Sequence, residues 1–237
     1  MSNHQILDNK THLDLRIDTS TGAALGDGVM ATLVVPDEFR RVQSQFPIVF
    51  RRDVESGAFS ALALFGFEAG ENLFLSEGRW DAGYKPLSLA IQPFLIGQLE
   101  TGEGQVHVNM DHPRISGTGE GTRVFDEHGQ ATPFLERIAE MLGELHVGYQ
   151  ASGEFFAALE RHQLLEPFSL EVPLSDGSQH SLVGFHIVDE EKLRALDGDA
   201  LADLHRAGHL MPIFMALASL SHFSELVARK DKKRADG

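Results

Sequence analysis

The chain has 237 residues, 42% of them hydrophobic and 23% charged, enough apolar surface for a core of its own and too much for an intrinsically disordered chain. It contains no cysteine, which removes disulfides, thiolate metal sites and a cysteine nucleophile. The net charge is −15, and the last nine residues hold five bases and two acids, leaving 15 basic and 33 acidic groups, a net −18, in the rest. Such a body repels phosphate, so nucleic acid is not an expected partner.

The start, Met-Ser-Asn-His-Gln-Ile-Leu-Asp-Asn-Lys, lacks a basic segment followed by an apolar core. No signal peptide is therefore expected, and the expected location is cytoplasmic. The longest apolar run, residues 210–220, is interrupted by Pro212 and Ser219 and has 11 residues, against about 20 for a spanning helix. The expectation is a soluble chain with no transmembrane segment, not a permease.

Residues 29–35 are rich in β-formers and stop at Pro36. Residues 37–42 predict a short helix with Asp37 and Glu38 in its first turn, where the helix dipole favours acids. Residues 47–50 predict a short strand. Residues 59–67 and 72–75 predict two strands around a turn, Glu68-Ala69-Gly70-Glu71. Residues 94–99 and 105–110 predict another pair around Thr101-Gly102-Glu103-Gly104. Strand followed by turn and strand points to antiparallel pairing.

The periodicity then changes. Thr132-Pro133 is a helix start, with Thr as N-cap and Pro at the first helical position. Phe134, Ile138, Met141, Leu142 and Leu145 follow as one helical stripe. A second helix is expected over residues 152–165, with Phe155, Phe156 and Leu159 inward and Pro167 as its stop. Residues 168–174 and 180–188 predict a hairpin around Ser175-Asp176-Gly177-Ser178. Asp189-Glu190-Glu191 starts a short helix, Asp199 caps another that ends at Gly208, and the last runs over residues 212–230. The expected fold is α+β: a mainly antiparallel sheet from the N-terminal half and the late hairpin, packed by C-terminal helices. We expect one domain over residues 1–237, with a candidate sub-boundary at 116–131 and a basic tail at 230–237.

Particular residues add to this. Glu38-Phe39 with Phe46-Pro47-Ile48-Val49-Phe50 forms one block, and Leu64-Phe65-Gly66-Phe67 with Glu71-Asn72-Leu73-Phe74 another. Gly78-Arg79-Trp80-Asp81 with Tyr84 and Pro86, Gln92-Pro93-Phe94, and Leu164-Leu165-Glu166-Pro167-Phe168 follow. Gly184-Phe185 with Val188-Asp189-Glu190-Glu191-Lys192-Leu193, then Leu204-His205-Arg206-Ala207-Gly208-His209-Leu210 and Leu217-Ala218-Ser219-Leu220, complete the set. Together these resemble the bacterial SapC family over residues 20–229. The resemblance implies a setting beside TonB-dependent receptors, tryptophan-halogenase-like proteins and cupin-like oxygenases, hence a role in outer-membrane uptake or modification. It implies no particular reaction. Some members carry basic residues and a tyrosine before the Pro-Phe pair; here Ala90-Ile91-Gln92 stand there, so an anion site of that kind lacks its bases.

Several residue groups are candidates for chemistry. His107, Asn109 and Asp111 share a face if residues 105–110 are a strand, and with His112 they could do acid–base work or bind a metal. The same alternation also fits a solvent face, with Val106, Val108 and Met110 inward. Trp80, Asp81 and Tyr84 lie in a polar, glycine-flanked loop, where large rings mark recognition surfaces or plug a core. His205 and His209 are four apart, but Gly208 reads as the residue that ends their helix, so their rings should diverge. Gly117-Thr118-Gly119-Glu120-Gly121-Thr122 lacks the Gly-Lys-Ser/Thr of a phosphate loop. Gly26-Asp27-Gly28 precedes a strand, the wrong order for a dinucleotide site. No Gly-x-Ser-x-Gly elbow occurs. The basic tail from Arg229 could meet anionic lipid or simply complement the end of its helix.

The leading expectation is a non-catalytic binding or adaptor protein, using Trp80, Asp81 and Tyr84, without cofactor or metal. Its partner would be a halogenase-like or cupin-like enzyme, a peptide or a small ligand. One alternative is a metal-assisted enzyme built on His107, Asp111 and His112. Another is a surface-layer-associated protein, suggested by the family's name.

Overall fold

In the computed structural model, which describes residues 3–98, 104–173 and 179–235, the first strands are β1 (His4–Ile6) and β2 (Arg16–Ile17). Then come β3 (Ala31–Val34), α1 (Phe39–Val42), β4 (Ile48–Arg52) and β5 (Phe59–Leu64). β6 (Leu75–Ser76), β7 (Arg79–Trp80), α2 (Leu87–Ala90), β8 (Phe94–Gln98), β9 (Gly104–Asn109) and β10 (Thr122–Arg123) lead into α3 (Pro133–Arg161). β11 (Leu165–Pro173) and β12 (Gln179–Val188) precede α4 (Glu190–Arg194), α5 (Gly198–Arg206), α6 (Leu210–Ser219) and α7 (His222–Ala235). The strand ladders are antiparallel, and C-terminal helices pack on a sheet. The class is the α+β expected.

The chain divides into two compact units. The first comprises Met1–Gly28, Leu75–Asp81 and Leu87–Val147. Its main sheet has the order β1-β9-β8, and Val108 of β9 is fully buried. Phe94 and Val108 share a core with Ile138 and Leu142 of α3, from the helical stripe read from the sequence, and with Leu135 beside it. Val106 and Met110 also pack there. The stretch 116–131 lies within this unit. So does a buried ion pair, Arg114 to Asp27 at 2.8 Å.

The second unit comprises Val29–Phe74, Ala82–Pro86 and Gly148–Gly237. Its sheet runs β11-β12-β4-β5-β3. Phenylalanines fill its core: Phe46 meets Phe74 at 4.7 Å and Phe65 at 5.0 Å, edge to face, and Phe155 of α3 meets Phe39 at 5.9 Å. Gly184, at φ 81°, sits where the β11–β12 register shifts between Phe168 and Leu170. This is a bulge, and a positive φ is what glycine supplies there. Ser219 of α6 accepts the Ile48 N–H at 2.9 Å, tying that helix to β4.

Several expected elements differ. The two helices expected over 133–165 are one, α3, of 29 residues. Ser152, read as a helix start, instead donates back to the Gly148 carbonyl at 2.7 Å within the continuing helix. Gly148 does not break α3 but packs tightly: an added Cβ would lie 2.6 Å from a Val35 methyl. The helix stops at Arg161, before Gln163 takes φ 55°, and Pro167 falls in the edge strand β11. The expected ladder between 59–67 and 72–75 is absent; β5 pairs with β3 and β4, while β6 pairs with β7. Asp197, not Asp199, caps α5, accepting the Ala200 N–H at 2.8 Å. The single last helix expected over residues 212–230 is two, α6 and α7, separated by Leu220 and Ser221, and α7 reaches Ala235. The turn residues 101–103 and 175–178 lie outside the described residues.

The helical stretch that contains the apolar run, α6 followed by α7, is longer than the run itself. Leu210–Lys233 spans 24 residues with mean hydropathy 1.5 in its most apolar window, 22% of it buried. It passes the length and hydropathy test for a membrane span, a test that core helices of soluble proteins also pass. Here Ile213, Ser219 and Leu226 are fully buried. Lys230 is buried too, bonded to Glu68 and Glu71 at 2.6 Å each.

Candidate functional site

His107 lies on β9, but the strand ends at Asn109, so Asp111 and His112 occupy the turn beyond it. His107 covers Gly97 so closely that an added Cβ would stand 2.3 Å from its Nε2. Asp111 accepts the Asn3 N–H at 3.2 Å. His112 uses both ring nitrogens: Nδ1 accepts the Arg114 N–H at 3.2 Å, leaving Nε2 to donate to Gln92 at 3.2 Å. Gly26 is required beside this pair, since a Cβ there would lie 2.9 Å from the Gln92 oxygen. Burial holds His112 below its ordinary pKa, Arg114 lowers it further and Asp27 partly offsets them. The neutral ring is thus a hydrogen-bonding strut. No group of three or more His, Asp or Glu able to hold a metal occurs among the described residues.

Trp80 and Asp81 belong to the first unit and Tyr84 to the second. Trp80 is half-buried and pairs with Leu75 across the β6–β7 hairpin. That two-residue turn, Glu77-Gly78, has φ 50° and 73°, the positive pair a type I′ turn requires. Asp81 is exposed. The Tyr84 hydroxyl donates to fully buried Glu38 at 2.6 Å. The Arg41 guanidinium lies over its ring, 5.1 Å from the centroid. With Gly83 N–H bonded to Gln45 at 2.9 Å, Tyr84 anchors its loop to the α1 region.

The helix that holds His205 ends before His209, as Gly208 implied. Helix α5 ends at Arg206, Gly208 has φ 77°, and His209 becomes the N-cap residue of α6. His209 instead joins a concavity of ≈ 320 Å³ in the second unit. Its floor and side are apolar: Ala157 and Ala158 from α3, Leu204 and Ala207 from the α5 region. Glu154, Arg161, His162 and Asp203 supply the polar wall. The volume lies at the lower end of the range for small-molecule sites.

The polar groups differ in what the fold already asks of them. Asp203 is ion-paired with Arg206. The side chains of Glu154 and Arg161 make no hydrogen bond or ion pair within the protein among the described residues. They stand seven positions apart on one helix, so on one face and about 10 Å apart along its axis. His209 feels both: burial pushes its pKa below the ordinary value, Glu154 raises it and Arg161 lowers it again. Its ring meets Phe155 at 5.6 Å, edge to face. The arrangement offers one anion and one cation about two helical turns apart, with the His209 imidazole in the same lining. Sequence reading flagged His209 but missed Glu154 and Arg161. Their trace is two opposite charges at i and i+7 around Gly153, Ala157 and Ala158, a small-residue face on a helix otherwise read only for its buried side.

Fold and cleft together define an α+β protein with a small concavity lined by groups of both charges. The SapC family model matches residues 7–226, nearly the whole chain, and the chain belongs to the SapC family. No curated protein and no solved structure is similar to it.

Proposed function

We propose that this protein is a non-catalytic binding protein that holds a small polar ligand in the α3–α5 cleft. The observation that carries this reading is the pair of uncommitted charges, Glu154 and Arg161, above an alanine floor. His112 and Tyr84, by contrast, have their polar atoms engaged inside the fold. Groups bonded internally support structure, whereas free groups converging on a concavity are available to a ligand. None of the lining residues carries a hydroxyl or thiol nucleophile. The family setting supports a place in an outer-membrane uptake or modification system, with the bound molecule offered to a halogenase-like or cupin-like partner inside the cell.

The test uses full-length protein and native mass spectrometry after incubation with a small-molecule extract of the source cells. An adduct released chemically unchanged is expected. It should disappear in Ala157→Trp, which fills the cleft from an exposed position. A released molecule that has been converted, or an adduct that survives Ala157→Trp, would contradict the reading.

A further inference from the structure

The cleft has a polarity along α3. Glu154 lies nearer the N-terminal end and Arg161 at the last residue of the helix. Their separation, about 10 Å along the axis, is close to the span of three fully extended residues, also about 10 Å. Ala157 and Ala158 line the cleft with methyl groups, and His209 and His162 add imidazole nitrogens. Neither imidazole has a side-chain hydrogen bond within the protein among the described residues.

We propose that the cleft binds a short linear zwitterion of tripeptide length, its ammonium group on Glu154 and its carboxylate on Arg161. The proposal rests on the binding reading above and adds the ligand's chemical class. A single amino acid is shorter than the helix rise of about 10 Å between the two residues. The imidazoles line the same cleft, and peptide N–H and C=O groups provide partners of either kind. Arg161 suits the carboxylate because its planar fork matches both oxygens.

Calorimetric titration of the full chain with trialanine, N-acetyl-trialanine and trialanine amide tests this. Trialanine is expected to bind, and blocking either end should weaken binding about tenfold or more, the loss of one charge-assisted contact. Glu154→Gln should abolish the preference for a free ammonium and keep the preference for a free carboxylate. Arg161→Met should do the reverse. Both residues are exposed on the helix surface, so the variants should fold. Equal binding of the three peptides, or loss of both preferences in either variant, overturns the proposal. If trialanine does not bind while the extract-derived adduct persists in wild type and vanishes in Ala157→Trp, the zwitterion class fails and the binding reading stands. If neither trialanine nor any extract molecule binds, both fail.

Discussion

Asp27 and Arg114 are both buried, and their ion pair is completed by guanidinium bonds to the carbonyls of Asp18 at 2.9 Å and Ser20 at 2.8 Å. Arg114→Ala would leave the Asp27 carboxylate buried without its cation. The expected loss is about 3–5 kcal/mol, read as a lower denaturant midpoint. Tyr84→Phe removes one donor to the buried Glu38 carboxyl group and should cost about 1–3 kcal/mol on the same measurement, while leaving cleft binding unchanged. Tyr84 was conspicuous in the sequence as a rare aromatic in a polar loop, but its partner is 46 positions away. No local pattern points to such a partner, so an anchoring tyrosine and a ligand-contacting one read alike. His112 is similar: its chemistry was visible, and the Gln92 and Arg114 groups that occupy its ring nitrogens were not.

At the scale of elements, local signals read well where they were decisive. The stripe from Phe134 to Leu145 packs in the first core, Asp189 caps α4 by accepting the Lys192 N–H at 2.9 Å, and Gly208 ends the turn after α5. They failed where one residue type serves two geometries. Ser152 resembled a cap but bonds backward inside α3, and Pro167 resembled a helix stop but lies on an edge strand, where its missing N–H is harmless. The α5 start reads as Asp199 in the sequence, but the residue that caps it is Asp197, two positions earlier. Asp197→Ala should destabilise by about 1 kcal/mol, as loss of a cap does, and Asp199→Ala by less than half of that; thermal denaturation of the two variants compares them directly. The hairpin at Glu77-Gly78 escaped notice because glutamate is a rare choice for the first positive-φ position.

For the whole molecule, titration separates three pH windows. Burial lowers the proton affinity of His112, His186 and His209 below the ordinary 6.5. Below about pH 6.5 the unfolded chain therefore binds more protons than the folded one, and stability falls with pH until the folded rings protonate. Asp53, Asp126 and Asp189 are held below 3.8, chiefly by backbone N–H donors; their contribution is present above that value and is lost on further acidification. Burial disfavours charge on Lys230, but its bonds to Glu68 and Glu71 outweigh this and raise its pKa above 10.5. That stabilisation is present below 10.5 and is lost as pH rises through the raised value. The melting temperature should thus stay level from pH 7 to 9 and decline from pH 6.5 toward 5. His112→Gln should flatten part of that decline; an unaltered slope would remove His112 from the explanation.

The charge surplus of the chain and its α+β class were legible from composition and periodicity, whereas the cleft was not. It forms where residues near 154–162 and 203–209 meet across the fold, and no single segment carries its pattern. The binding account is tested most directly by recording amide nuclear magnetic resonance shifts of the isotope-labelled chain during titration with trialanine. The account predicts saturable shifts concentrated in residues 154–162 and 203–209, absent in Ala157→Trp. Shifts centred on residues 107–112, or none that saturate, would contradict it.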